Sequence, residues 1–224
     1  MKLTVIGKYG PYPAAGGGTS CYLVRGENDA VVLDFGSGAL AKLQRHIAID
    51  DVRAIVLSHL HYDHMCDLLP LIYLLQTRGK TMTLVLPDTD CPQRALLEKS
   101  GVFRLVPVQP QWQAGEFSLS FEKMRHPLES YAVKISAMGK TLMYTGDTAF
   151  CDQLPAFAKG SNLLLADCGK AEHSAAPHLS LSEAAFLGET LHVPVIATHL
   201  NPALIYTRTS SVVTLAEEGK TYAV

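Results

Sequence analysis

The stretch Ser58-His59-Leu60-His61-Tyr62-Asp63-His64-Met65-Cys66-Asp67 carries three imidazoles and two carboxylates within ten residues. It follows the apolar run Ala54-Ile55-Val56-Leu57, short and rich in β-branched residues, which reads as a buried strand ending in a loop. His59 and His61 are two apart, so an extended backbone throws both rings to one side. Asp63 and His64 break that alternation and serve a second point only if the chain turns there. One pair of ligands and a second pair offset by a turn is what two adjacent metal ions require. A lone histidine at a strand end is ordinarily a polar loop residue; four ligand-type side chains in six residues are not an accident of composition.

His59-x-His61-x-Asp63-His64 resembles the signature of the metallo-β-lactamase superfamily of hydrolases. The later segments resemble its ribonuclease Z-like and phosphodiesterase branch, and the likeness runs along nearly the whole chain. His126-Pro127-Leu128-Glu129-Ser130-Tyr131 looks like the family's third element, Tyr144-Thr145-Gly146-Asp147-Thr148 like the segment whose aspartate bridges two cations, and the strand Pro194–Thr198 ends in His199, which matches the last ligand. The resemblance thus implies His59, His61 and His126 around one metal, Asp63, His64 and His199 around the other, and Asp147 between them. Asp147 stands where the β-lactamases proper usually carry cysteine, which argues against antibiotic hydrolysis. Three imidazoles per site suit zinc, with manganese or iron as alternatives. In ribonuclease Z-like enzymes a glutamate and a second histidine pair beside the scissile phosphate; Asp167 and His178 are the matching residues here, the shorter carboxylate being a departure. Asp34, in Asp34-Phe35-Gly36, matches a residue that lies beneath the metal loop in the family.

The elements that must position these groups are legible in outline. Strands are expected at Leu3–Ile6, Cys21–Val24, Ala30–Leu33, Thr83–Leu86, Leu105–Val108, Phe117–Arg125, Tyr131–Ser136 and Thr141–Tyr144, with Gly139-Lys140 as a hairpin turn. Helices are expected after Gly38 through about His46 with Ser37 as the cap, over Leu68–Gln76, over Pro92–Lys99, and after Ser180. Lys8–Ser20, with Gly16-Gly17-Gly18, reads as a mobile loop beside the site; no Walker-type Gly-Lys-Ser/Thr follows to make it a phosphate cradle. His46, His173 and His192 match nothing in the pattern and read as surface or packing residues. Strands followed by helix recur in both halves. This fits the αββα four-layer sandwich that the resemblance implies: two mostly antiparallel β-sheets flanked by helices, as one domain over residues 1–224.

Composition bounds the function. Charged residues make up 18% and apolar ones 48%, an ordinary globular balance. A net charge of −2 gives no global attraction to nucleic acid. Five unpaired-looking cysteines favour reduced thiols and a cytoplasmic protein. No run approaches the ~20 apolar residues of a membrane span, and the first residues are too soon interrupted for a signal peptide. Transfer-RNA processing relatives carry a protruding basic arm; between Asp147 and Asp167 only nineteen residues intervene, with Lys159 the sole basic one. The expected activity is therefore hydrolysis of a small phosphodiester or nucleotide. Two cations about 3.5–4 Å apart would lower the pKa of a shared water towards ~7, Asp63 would orient it, and His178, steadied by Asp167, would help the leaving oxygen. A carboxylic ester, lactone or thioester hydrolase on the same two metals is the alternative; a transfer-RNA 3′ endonuclease and a non-catalytic scaffold rank below it, and a homodimer is compatible with the sequence.

Overall fold

The computed structural model describes residues 1–207 and 210–224. In chain order the first strands are β1 (Lys2–Gly7), β2 (Cys21–Arg25) and β3 (Ala30–Leu33), followed by helix α1 (Ala39–Leu43) and strand β4 (Ala54–Val56). The single turn α2 (Tyr62–Met65) and helix α3 (Leu68–Arg78) lead to β5 (Met82–Leu86), α4 (Pro92–Lys99) and β6 (Phe103–Pro107). The second half comprises β7 (Gln111–Ala114), β8 (Phe117–Lys123), β9 (Tyr131–Ala137), β10 (Lys140–Tyr144), α5 (Gln153–Ala158), β11 (Leu163–Asp167), α6 (Leu181–Leu191), β12 (Val195–Thr198) and β13 (Val213–Leu215). A last strand, β14 (Thr221–Ala223), returns to the first sheet. Among the described residues these form two seven-stranded sheets, ordered β14-β1-β2-β3-β4-β5-β6 and β13-β12-β11-β10-β9-β8-β7.

Three apolar clusters make this a four-layer αββα sandwich. Alternation along β3 sends Val31 and Leu33 inward to the second sheet, and Ala30 and Val32 outward to α1 and α3. Leu163 and Leu165 of β11 face the inner cluster, while Leu164 and Ala166 face α5 and α6. Sheets covered on both faces need strands apolar at every position, which is why β3, β4 and β11 read as continuous apolar runs.

The antiparallel pairing expected from the sequence holds for three of the six ladders in each sheet: β14-β1-β2-β3 in the first and β7-β8-β9-β10 in the second. The other three in each are parallel, β3-β4-β5-β6 and β10-β11-β12-β13. Helical crossovers impose this for five of the six, because α1, α3, α4, α5 and α6 each return the chain to the same edge, and the link from β12 to β13 does so with no helix among its described residues. The consequence matters for function. β3 and β4, like β10, β11 and β12, release their C-terminal ends on a common edge.

Local differences have local causes. Ser37 does not cap α1: its N–H donates to Thr19 Oγ1 at 2.6 Å and its carbonyl accepts from Thr19 N, so Gly38, at φ 80°, occupies the cap position. The helix stops at Leu43, and the Arg25 guanidinium bonds the His46 carbonyl beyond it. Ser180 does cap α6, in a reciprocal capping box with Glu183. Leu165 is fully buried between the sheets; Leu165→Ala is expected to cost about 2–5 kcal/mol, seen as a lower denaturation midpoint with bound metal retained while folded. An unchanged midpoint would contradict the buried inner layer.

Candidate metal centre

The candidate residues sit just past strand ends. Asp34 follows β3, His59 and His61 follow β4, His126 follows β8, Asp147 follows β10, Asp167 closes β11 and His199 follows β12. The turn required of Asp63 and His64 is α2, which begins directly after His61. It brings Asp63 and His64 back beside His59, whose ring centroid is 4.1 Å from that of His64. Asp34 and His199 adopt the left-handed backbone region, with φ 54° and 53°, which bends the chain sharply at the strand end. Gly146, at φ 57°, lies so close to its neighbours that a Cβ would fall 2.7 Å from the Tyr131 carbonyl oxygen.

All seven expected ligands meet. His59, His61, His126 and Asp147 form one group of donor atoms mutually within 4.8 Å, and Asp63, His64 and His199 another. His59 Nε2 and His61 Nδ1 are 3.0 Å apart. Asp147 Oδ2 faces both groups: it lies 3.6 Å from His59 Nε2, 3.4 Å from His64 Nε2 and 3.3 Å from His199 Nε2. His199 Nε2 is 3.1 Å from Asp63 Oδ2. Donors on one tetrahedral cation with bonds of ~2.0–2.1 Å lie roughly 3.3 Å apart, so these spacings fit ligands of a common ion.

The far nitrogens of His59, His64 and His126 are each held by a partner. Asp34 Oδ2 accepts from His64 Nδ1 at 2.8 Å, from Ser58 Oγ at 2.9 Å and from Tyr144 Oη at 2.7 Å. Because Ser58 Oγ donates to Asp34, it accepts from His59 Nδ1 at 3.0 Å. His126 Nδ1 donates to the Leu128 carbonyl at 3.2 Å. These bonds fix the ring orientations and direct Nε2 of His59, His64 and His126 inward. Asp67, the second carboxylate of the opening stretch, is elsewhere: it accepts from Leu40 N at 2.9 Å.

Electrostatics test the fit to a cation. Among the described residues no lysine or arginine pairs with Asp34, Asp63, Asp147 or Asp167. His64 Nε2 and Asp147 Oδ1 are buried without a hydrogen-bond partner. Burial holds His59, His61 and His126 below the ordinary histidine value, and thus neutral, as ligands must be. Burial also disfavours charge on His64 and His199, but nearby carboxylates, Asp147 foremost, overcome it, raising His64 well above the ordinary value and His199 to about 10. Asp63 and Asp147 are driven below the carboxylate range by the same histidines, against the opposing effect of burial. The carboxylates thus favour positive charge in one half of the centre, and the donor set fits two metal ions.

Asp167 and His178 complete the cluster. Asp167 Oδ2 accepts from His178 Nδ1 at 3.0 Å, and its Oδ1 lies 3.4 Å from His199 Nδ1. His178 stacks on His199 with ring centroids 4.9 Å apart, and its Nδ1 is 3.7 Å from Asp147 Oδ2. The shorter carboxylate therefore keeps the expected pairing and also supports a metal-ligand candidate. His173 and His192 are exposed and outside the centre, and His46 is half-buried on the turn after α1.

Sequence reasoning missed the supports. Ser58, Tyr144 and Tyr22 lie among or near motif residues, but nothing local marks them: the Tyr22 and Tyr144 rings pack 5.1 Å apart, and Tyr22 Oη bonds Thr198 Oγ1 at 2.9 Å. Gly10 belongs to the loop expected beside the site, and there a Cβ would meet His199 Nε2 at 2.0 Å. In the glycine triplet, Gly18 N donates to Glu218 Oε1 at 2.7 Å, and Glu218 pairs with Lys42.

Fold and site together define a metal-dependent hydrolase. Residues 14–83 match the family model described as the metallo-beta-lactamase superfamily, and the chain belongs to that superfamily. It is 33% identical to the probable metallo-hydrolase YhfI of Bacillus subtilis over 220 residues, covering 90% of each chain. The crystal structure of that protein superimposes with a TM-score of 0.92 over 99% of this chain and 98% of the other. In fold the chain also resembles human tRNase Z, short form (TM-score 0.82, 17% identity, 100% and 99% covered), and a diphosphatase from the PhnP family (0.80, 18%, 99% and 96%). Among the described residues no helix is long and apolar enough to cross a membrane, and all five cysteines are free thiols.

Elemental analysis of the purified protein is expected to approach about two transition-metal ions per chain, as a paired centre requires. His61→Ala and Asp147→Asn should each lower that content. A fully active preparation holding a single metal would contradict the paired centre.

Proposed function

We propose that this protein hydrolyses a small phosphodiester or nucleotide through a paired centre, with zinc as the expected metal. The observation that carries the reading is the Asp167–His178 pair, bonded at 3.0 Å and set 3.7 Å from the carboxylate shared by both ligand groups. His59, His61 and His126 would hold one cation, Asp63, His64 and His199 the other, and Asp147 would lie between them. When bound, such a pair polarises a phosphoryl oxygen and acidifies a water. Asp63 is the acceptor nearest His199 and would orient the attacking water. The His178 Nδ1–H is committed to Asp167, which leaves Nε2 to donate a hydrogen bond or proton to the departing oxygen. Burial lowers the His178 pKa, but the bond to the Asp167 carboxylate and its charge outweigh this and raise it above the ordinary histidine value, which favours the proton-bearing ring.

Chemistry at phosphorus is also common to the names of two structural neighbours, a tRNase and a diphosphatase. A small substrate is favoured over RNA because the link from Asp147 to Asp167 is a short loop and α5, with Lys159 its only basic residue. Five free thiols suit a cytoplasmic setting. An ester, lactone or thioester could be cleaved by the same ligands; the His178–Asp167 pair favours a phosphodiester, because a poor alkoxide leaving group needs the proton most. All seven ligands are kept in one cluster, which a non-catalytic scaffold has no need of.

His178→Ala is expected to leave metal content unchanged and to lower kcat on the order of 10²–10⁴-fold for an alkoxide leaving group, with a small loss for p-nitrophenolate. Equal losses on both would remove His178 from leaving-group chemistry. A small phosphodiester should also be turned over with much higher kcat/KM than precursor transfer RNA; efficient trimming of a transfer-RNA 3′ end would reverse the substrate assignment.

A further inference from the structure

The centre opens into a groove that the ligand set leaves unexplained. A hollow of ≈ 550 Å³ is lined by His126, Arg125, Pro177, Phe150, Lys170 and Glu183. His126 belongs both to the first ligand group and to this wall, so the hollow adjoins the centre. Phe150, Lys170 and Glu183 also line a second hollow of ≈ 520 Å³, which extends the groove to Phe186. Phe186 projects from the outer face of α6, 57% exposed, and its ring centroid lies 6.0 Å from that of Phe150 at an interplanar angle of 59°. The half-buried Phe150 and the exposed Phe186 thus leave aromatic surface in water along the groove.

The charges along the groove are unequal. Glu183 faces it but is neutralised, since it pairs with Lys170 at 2.9 Å and closes the α6 capping box. Arg125 is exposed and, among the described residues, has no ion pair. Its main chain is fixed beside the centre: Arg125 N donates to Thr148 Oγ1 at 3.2 Å, and its carbonyl accepts from Ala149 N at 2.9 Å. A guanidinium at the rim next to His126, with aromatic faces beyond it, matches a phosphate followed by a flat ring.

We propose that Phe150 and Phe186 form a subsite for the base of a nucleotide whose phosphate lies against Arg125 at the centre. This rests on the phosphodiesterase reading and adds its substrate class: the scissile phosphodiester belongs to a nucleotide, and the base directs it into the groove. Stacking on a phenyl face is tolerant of base identity, so the subsite separates nucleotides from abasic phosphodiesters without selecting one base strongly.

The test is binding of products, which needs no turnover. The metal-loaded protein is titrated with adenosine monophosphate and with ribose phosphate, and the two affinities are compared. Adenosine monophosphate is expected to bind on the order of tenfold tighter, the usual scale of one base–aromatic stack. Phe150→Ala should erase most of that preference and leave ribose phosphate binding as it was; Arg125→Ala should weaken both ligands alike. Should Phe150→Ala lower the melting temperature, Phe186→Ala makes the same test at a ring that is mostly in solvent. Equal affinities for the two ligands, or a preference that survives both phenylalanine variants, would overturn the subsite. A base preference without phosphodiester hydrolysis would instead sink the activity and leave the subsite standing.

Discussion

Four carboxylates, Asp34, Asp63, Asp147 and Asp167, lie against six imidazoles at one edge of the sandwich, with no lysine or arginine paired to them among the described residues. Asp34, Asp147 and Asp167 are essentially inaccessible to water. Burying charge without a countercharge costs several kcal/mol per group, even after the surroundings relax. The cluster therefore requires positive charge from outside its own side chains, or protons in its place. Bonds to Asp34, Ser58 and the Leu128 carbonyl turn Nε2 of His64, His59 and His126 inward, where a cation would take the place of protons.

That constraint explains why the fold is built as it is. The parallel half of each sheet sends strand ends to one edge, and the inner cluster holds the two edges in register. Tyrosines tie the sheets together at the site itself: Tyr144 of the second sheet bonds Asp34 of the first, and Tyr22 of the first bonds Thr198 of the second, one residue before His199. Left-handed backbone at Asp34 and His199 is tolerated because each is held on several sides, His199 by Asp63 and Asp167 together with the Gly10 backbone packed on its ring.

The ligand set was legible in the sequence because it is local or ends an apolar run. His59, His61, Asp63 and His64 declare a site by spacing, and the need for a turn at Asp63 is met by α2. His126, Asp147 and His199 are single residues at strand ends, readable only once the first motif is in hand. The supports were not legible, since they join residues far apart: Tyr144 reaches Asp34 across 110 positions, and Glu218 reaches the glycine loop across 200. Strands β13 and β14, of three residues each, are too short for any periodicity to register, and α5 carries Pro155 in its first turn. The parallel ladders escaped because pairing direction is set by the crossovers and not by composition within a strand. Ser37 had the chemistry of a cap, but its main chain is held by Thr19, a contact only the folded chain supplies.

The central claim is that the buried cluster is a paired cation site in which metal takes the place of protons. Calorimetric titration of metal-stripped protein with zinc, repeated at neutral pH in buffers of different ionisation enthalpy, tests it most directly. Uptake of about two ions per chain with net release of protons is the predicted result, because His64 and His199 must surrender theirs to become ligands. Uptake of one ion or none, or uptake whose enthalpy is the same in every buffer, would contradict it.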